Sequence, residues 1–228
     1  SDCALFTTFV HDTLAPADAI ISGTTPESPS SAPSPLVTGT AEVGAIVRAH
    51  VDGCSSGSVA SANVDELGAF SVGVPVTLQA SNTIYITVED AAGNISACDS
   101  AATIDYVHDS TTPEPPVFVG TTPASPSNAS TEPQVNGTTE PGNSVKLYGE
   151  AGCSGAELAS GVADPTGSFS VALTVQANQT TQVYAMVFDL SDNASPCTPL
   201  PLFYTHDDTA PASPSFAGSV PESPSNEE

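Results

Sequence analysis

The sequence has almost no positive charge. Two basic residues, Arg48 and Lys146, stand against 26 acidic ones, for a formal net charge of −24. Nucleic-acid binding is excluded on that ground, because neutralising phosphates takes lysine and arginine. Docking on an anionic membrane surface is disfavoured for the same reason. So acidic a chain repels itself unless cations offset the charge. Divalent cations, a high-salt habitat or a merely solvated acidic surface are the three ways to account for it. Long apolar runs are also missing: none approaches the roughly 18 residues of a membrane span. No segment keeps a 3.6-residue apolar period over three turns, so helices are not expected. Tryptophan is absent and Met186 is the only methionine. No Dx[DN]xDG loop occurs, which removes the sign of an EF-hand.

What the chain does have is repetition. "VHDSTTPEPPVFVGTTPASPS" from Val107 has shifted copies at Val10 and Thr205. His11, His108 and His206 are spaced by 97 and 98 residues, and Pro26, Pro123 and Pro221 give the same two intervals. "VTGTAEVGAIVRAHVDGCSSG" from Val37 reads against "VNGTTEPGNSVKLYGEAGCSG" from Val135. A repeat this long can be a domain with its own core. The phase gives two complete repeats, 13–109 and 110–207. Residues 1–12 read as the last strand of a preceding repeat and 208–228 as the head of a following one, as in a cut from a longer tandem array.

The five cysteines follow the same period. Cys54 to Cys98 and Cys153 to Cys197 each span 44 residues, which favours one disulfide per repeat and leaves Cys3 with a partner upstream. The rival pairing, Cys3–Cys54 and Cys98–Cys153, has unequal spans; sequence alone does not fix connectivity. Disulfides imply an oxidising, extracytoplasmic setting.

Each repeat reads as strands. In the second, 116–120, 133–138, 144–150, 157–164, 168–175, 182–189 and 198–205 alternate apolar and polar residues between turns rich in Gly, Pro, Asn and Asp. Val145, Leu147 and Gly149 are expected on one face. Phe169, Val171 and Leu173 are expected inward, and 182–189 as the central strand. "AIVRAHVD", "AFSVGVPV" and "TIYITVED" occupy the equivalent places in the first repeat. Seven short strands per repeat predict an all-β, immunoglobulin-like Greek-key sandwich. An odd strand number puts entry and exit at opposite ends. The repeats then string end to end as beads of the order of 30–40 Å each.

"VTGTAEVGAIV", "VEDAAGNIS" and "HDSTTPEPP" together resemble the bacterial immunoglobulin-like repeats of large surface adhesins and biofilm-associated proteins. Those families carry a Gly-Thr-Ala-Glu-x-Gly turn, an Asp-x-x-Gly-Asn turn and an Asp-x-Thr-x-Pro linker. The second repeat departs from the pattern, with Asp192 where Gly93 stands. The resemblance implies tandem sandwiches on a cell surface, and calcium at the junctions.

The residues themselves allow such a site. Asp12, Asp109 and Asp207 lie in the linkers. Glu42, Asp65 and Asp90 lie in turns expected to face the linker that precedes the first repeat, and Glu140, Asp164 and Asp189 do so in the second. Several carboxylates and carbonyls at one junction suit Ca²⁺, which takes 6–8 oxygen ligands. Asp and Asn also favour tight turns on their own account. The repeated histidines read as structural, since one active site per spacer serves no enzyme. The proline passages read as surface loops, as rigid edges or as glycosylated patches. Asn-x-Ser/Thr sequons at Asn94, Asn128, Asn136, Asn178 and Asn193 are left as chance in so Ser/Thr-rich a chain.

The expectation is a non-enzymatic spacer of an extracellular or cell-surface bacterial fibre or adhesin. Its partners would be neighbouring repeats of the same or an identical chain, with lateral fibre contacts, no nucleic acid and no membrane insertion. A self-assembling filament or surface-layer subunit with strand exchange is the alternative. A glycan- or protein-binding module is a further one, although no loop is rich in aromatics.

Overall fold

The computed structural model describes residues 11–215 and Ala217. Cys3, most of the leading segment and the end of the trailing one lie outside the described residues. The protein is all-β, with two immunoglobulin-like sandwiches in tandem. In the first repeat the strands are β1 (Ile20–Thr25), β2 (Leu36–Thr40), β3 (Ile46–Val51), β4 (Ala60–Asn63), β5 (Ala69–Gly73), β6 (Ser81–Glu89) and β7 (Thr103–Val107). The second holds β8 (Val117–Thr122), β9 (Gln134–Thr138), β10 (Ser144–Tyr148), β11 (Glu157–Val162), β12 (Ser168–Ala172), β13 (Thr180–Phe188) and β14 (Leu202–Thr205). A three-stranded sheet β1-β2-β5 faces a four-stranded sheet β4-β3-β6-β7, and β8-β9-β12 faces β11-β10-β13-β14 in the same way.

Alternation builds each core. Val47 and Ala49 of β3 and Ile84, Ile86 and Val88 of β6 point inward with Phe70 and Val72 of β5. Val145, Leu147, Val183, Ala185, Val187, Phe169 and Val171 do so in the second repeat. The two cores share no residue, so each repeat buries its own apolar surface. Gly39 and Gly137 sit beneath the phenyl rings of Phe70 and Phe169; a Cβ at either would overlap the ring and the carbonyl oxygen of Ile20 or Val117.

Strand boundaries differ from the sequence reading for identifiable reasons. The last strand starts at Leu202 rather than 198, because Pro199 and Pro201 have no N–H and Thr198 gives its own to Ala185 O at 2.8 Å. β12 ends at Ala172, and the N–H groups of Leu173 and Val175 turn to the carbonyls of Pro133 and Thr131. β10 ends at Tyr148, which is buried beside Leu147 where the register against β11 shifts at Leu158, and Gly149 falls outside the strand.

The proline passage after β1 crosses from one sheet to the edge of the other. Ser30 bridges His108 in parallel, and Ser127 bridges His206. Ser28 Oγ accepts the N–H of Val107 at 2.9 Å, and Ser125 Oγ that of Thr205 at 2.8 Å. The buried hydroxyls of Tyr106 and Tyr204 donate to the carbonyls of Ala32 and Ser130. Each passage thus covers the open edge of the last strand, which would otherwise present unpaired backbone. The chain enters each repeat beside one end of β6 or β13 and leaves beside the other.

Candidate functional site at the repeat joints

The repeated, chemistry-bearing residues meet at the joints. Two turns begin them. Asp90 Oδ1 accepts the N–H groups of Ala92 and Asn94, both at 2.9 Å, and its Oδ2 accepts from Asn94 Nδ2 at 2.8 Å. Asp189 does the same with Ser191 at 2.7 Å, Asn193 at 2.9 Å and Asn193 Nδ2 at 2.9 Å. The asparagine amide has a second hydrogen, and it goes to the linker. Asn193 Nδ2 donates to the carbonyl of Asp109 at 3.0 Å, and Asn94 Nδ2 to that of Asp12 at 3.4 Å. A turn of each repeat is thereby fastened to the chain that leads into it. Sequence reasoning missed this clamp, although an Asn four residues after an Asp in both turns was its visible signal.

The histidines finish each repeat. His108 is buried; its N–H donates to Ala80 O and its Nδ1 accepts the N–H of Gln79 at 3.0 Å. His206 repeats this with Gln179 O and the N–H of Asn178. Because Nδ1 accepts, the neutral ring carries its proton on Nε2. The next residue then closes the edge: Asp109 N–H donates to Ser30 O and Asp207 N–H to Ser127 O, each at 3.0 Å. The repeated His-Asp pair is a latch at the exit of a domain.

Among the candidate calcium ligands, the structure brings Asp12, Glu42 and Asp90 around one hollow at the entry of the first repeat. Hard oxygen donors of that kind suit Ca²⁺. Among the described residues, however, no three His, Cys, Asp or Glu side chains converge closely enough to hold an ion as they stand. Asp65 is turned to its own loop, where Oδ1 accepts from Leu67 and Ala69. Asp164 likewise serves Thr166 and Ser168. Asp109 lies in a hollow with Gln79, His108 and Thr111, without Glu140 or Asp189. Asp207 Oδ1 accepts from Thr209.

The electrostatics match these hydrogen bonds. The Asn94 side-chain amide holds the Asp90 carboxyl below its usual value. The Thr111 N–H does so for Asp109, and the Thr166 hydroxyl for Asp164. Each repeat is also closed covalently, Cys54 to Cys98 and Cys153 to Cys197, with Cα–Cα distances of 6.4 and 5.6 Å. Among the described residues no helix is long and apolar enough to cross a membrane.

Comparison with known proteins places this architecture. No curated protein matches the chain by sequence. Among solved structures, it is similar to the BSP domain of a biofilm associated protein, at 17% identity over 86% of this chain and 30% of that one, with a TM-score of 0.30. It is similar to a Ca²⁺-stabilized adhesin that helps an Antarctic bacterium reach out and bind ice, at 21% identity over 86% and 50% of the two chains, TM-score 0.39. It is similar to the D0-D1 domain of intimin at 13% identity, over 84% of this chain and all of that one, TM-score 0.27. The chain thus spans under a third of the first structure and half of the second. Likenesses this distant leave a sequence profile as the deciding finding. The profile of the bacterial Ig domain matches residues 13–105 and again 122–202, so the chain belongs to the bacterial Ig domain family.

Proposed function

We propose that the chain is a non-enzymatic spacer segment of an extracellular bacterial surface fibre or adhesin, holding a binding or anchoring region away from the cell. The observation that carries this reading is the joint. The Asn193 amide ties the second repeat to the Asp109 carbonyl, and Asn94 stands ready in the same way toward Asp12. Linker entry and exit at opposite ends of nine-residue β6 and β13 let such joints add length with every repeat. The disulfides serve the same end by limiting how much chain a stretched repeat can release. The acidic surface keeps such a fibre soluble and apart from its neighbours.

Calcium at the joints is the second component of the proposal. Asp12, Glu42 and Asp90 would hold it at one joint, and Asp109, Glu140 and Asp189 at the next. A bound cation would supply charge neutralisation across carboxylates that otherwise repel one another. The shared hollow at the first joint supports it, and the incomplete convergence of the carboxylates sets the experiment. Calcium titration of the chain is followed by calorimetry and small-angle scattering. Saturable binding with a longer, straighter particle is expected if calcium stiffens the joints. No heat and an unchanged profile remove the metal and leave the rod to the clamp, the disulfides and packing. A particle that stays compact and bent in both conditions overturns the spacer reading itself.

A further inference from the structure

The two repeats present the same surfaces to different surroundings, and the difference maps an interface. Between the repeats, Pro26–Ser30 of the first and Leu190, Ser191 and Asp192 of the second line one groove. Ser191 is only 6% exposed there, whereas Ala92, at the same place in the first repeat's turn, is exposed. On the other side, Ser30 is 9% exposed and Pro29 half-buried, whereas Ser127 is half-buried and Pro126 exposed. Pro29, Ser30 and Ser191 are thus more covered at the joint than their equivalents, while Pro26, Glu27, Ser28, Leu190 and Asp192 form its exposed rim.

We infer that the Pro-x-Ser-Pro-Ser passage is a docking face for the Asp-x-x-x-Asn turn of the following repeat. Among the described residues, Pro123–Ser127 and Asp90–Asn94 are then the two halves of such interfaces with no repeat docked on them. The partner for each is another bacterial Ig repeat of this kind, joined covalently. A contact of so few residues is too small to hold free molecules together. The linker makes the encounter intramolecular, which raises the effective concentration enough for a weak contact to form. Asp192 fits this role. It holds φ at 60° where the equivalent Gly93, at 89°, is free of side-chain strain, and its position faces the passage. The passage therefore has two uses: it covers the last strand of its own repeat and seats the turn of the next.

The test uses paired substitutions in the full chain. Glu27→Trp and Ser191→Trp place an indole on the two faces of the joint; Ala124→Trp and Ala92→Trp place it at the equivalent positions without a described neighbour. Small-angle scattering and backbone ¹⁵N relaxation read the maximum dimension and whether the repeats tumble together. The joint variants are expected to uncouple the two rotational correlation times and change the maximum dimension, and the other two to change neither. Glu27 is exposed, so E27W tests the face even if S191W fails to fold. Lengthening the chain by a copy of residues 110–207 after Asp207 should then make Ala124→Trp as disruptive as Glu27→Trp. Independent tumbling in the unsubstituted chain, silence of E27W, or continued silence of A124W in the longer chain each overturns the inference. Flexibly tethered repeats would still serve as a spacer, so these failures leave the proposed function standing.

Discussion

The Asp90–Asn94 and Asp189–Asn193 turns are built alike yet bear different side chains. Both use one aspartate to gather two backbone N–H groups and an asparagine amide, and both pass that amide to a linker carbonyl. The first fills the turn with Ala91, Ala92 and Gly93, the second with Leu190, Ser191 and Asp192. The shared part satisfies backbone donors and reaches the linker, and in the second repeat the variable part lines the groove against the first. A second contrast lies on the outer face of the four-stranded sheet. The first repeat buries His50 against Thr87, where the second has Tyr148 and Met186. The repeats are thus equivalent in frame and individual in what the frame carries.

The largest expected effect tests the equivalence. Each disulfide closes a loop of the same 44-residue separation. Replacing Cys54 and Cys98 by serine should therefore cost its repeat about 4 kcal/mol, and the Cys153/Cys197 pair the same. Two-transition denaturant unfolding should show each loss confined to one repeat. Unequal losses would show that the frames differ in more than side chains. Next in size is the glycine beneath each phenylalanine. Gly39→Ala and Gly137→Ala should each destabilise by roughly 1–3 kcal/mol, because neither the ring nor the neighbouring carbonyl can yield freely. A neutral result at either would mean that the β1 or β8 edge moves aside at little cost.

Period-2 alternation made nearly every strand legible, since Val145, Leu147, Phe169 and Val171 turn inward as their spacing requires. Equal cysteine spacing likewise pointed to the pairing now seen. The joint was legible only as a location. Carboxylates there read as metal ligands, because sequence shows which side chains carry charge and not which backbone donors reach them. Asp65 and Asp164, like Asp90 and Asp189, accept N–H groups two and four residues onward, a role in their own turns that residue type alone does not show. Ser28 and Ser125 gave no signal at all: each meets the last strand of its repeat across 79 or 80 residues of chain. Contacts of that range arise from sheet topology, which local pattern does not encode.

The His50 contrast predicts a smaller effect, opposite in sign. His50 is 8% exposed, and its Nδ1 has no hydrogen-bond partner while Nε2 meets Thr87 Oγ1 at 3.1 Å. An unpaired buried nitrogen is costly, and replacing both members of a polar pair by apolar groups avoids stranding the second. The double change His50→Tyr with Thr87→Met gives the first repeat the pair of the second. It should raise the first repeat's stability by about 1 kcal/mol and leave the second unchanged. His50→Tyr alone should gain less, because Thr87 loses its partner. Destabilisation by the double change would show that the surroundings of the pair, and not the pair, set the choice.

The smallest effect is in acid, and it separates the repeats once more. Asp90 and Asp164 are both held below the ordinary value of 3.8, Asp90 chiefly by the Asn94 amide and Asp164 chiefly by the Thr166 hydroxyl. A carboxyl lowered in the folded state contributes stability that is complete above its unfolded value. That contribution is lost as pH falls through the lower, folded value. Thermal unfolding followed from about pH 5 to about pH 2 should therefore show both repeats weakening below the ordinary carboxylate range. In the first repeat the loss runs through the turn that carries the clamp. Asp90→Asn should reduce the first repeat's acid slope, leaving the part that Asp109 contributes, without touching the second, and Asp164→Asn should reduce the second's alone. Because Asp90 organises the turn that presents Asn94 to Asp12, acid should loosen the entry joint before the core of that repeat gives way. An acid slope undiminished by both substitutions would move its origin to the remaining carboxylates and uncouple the joint from protonation of this turn.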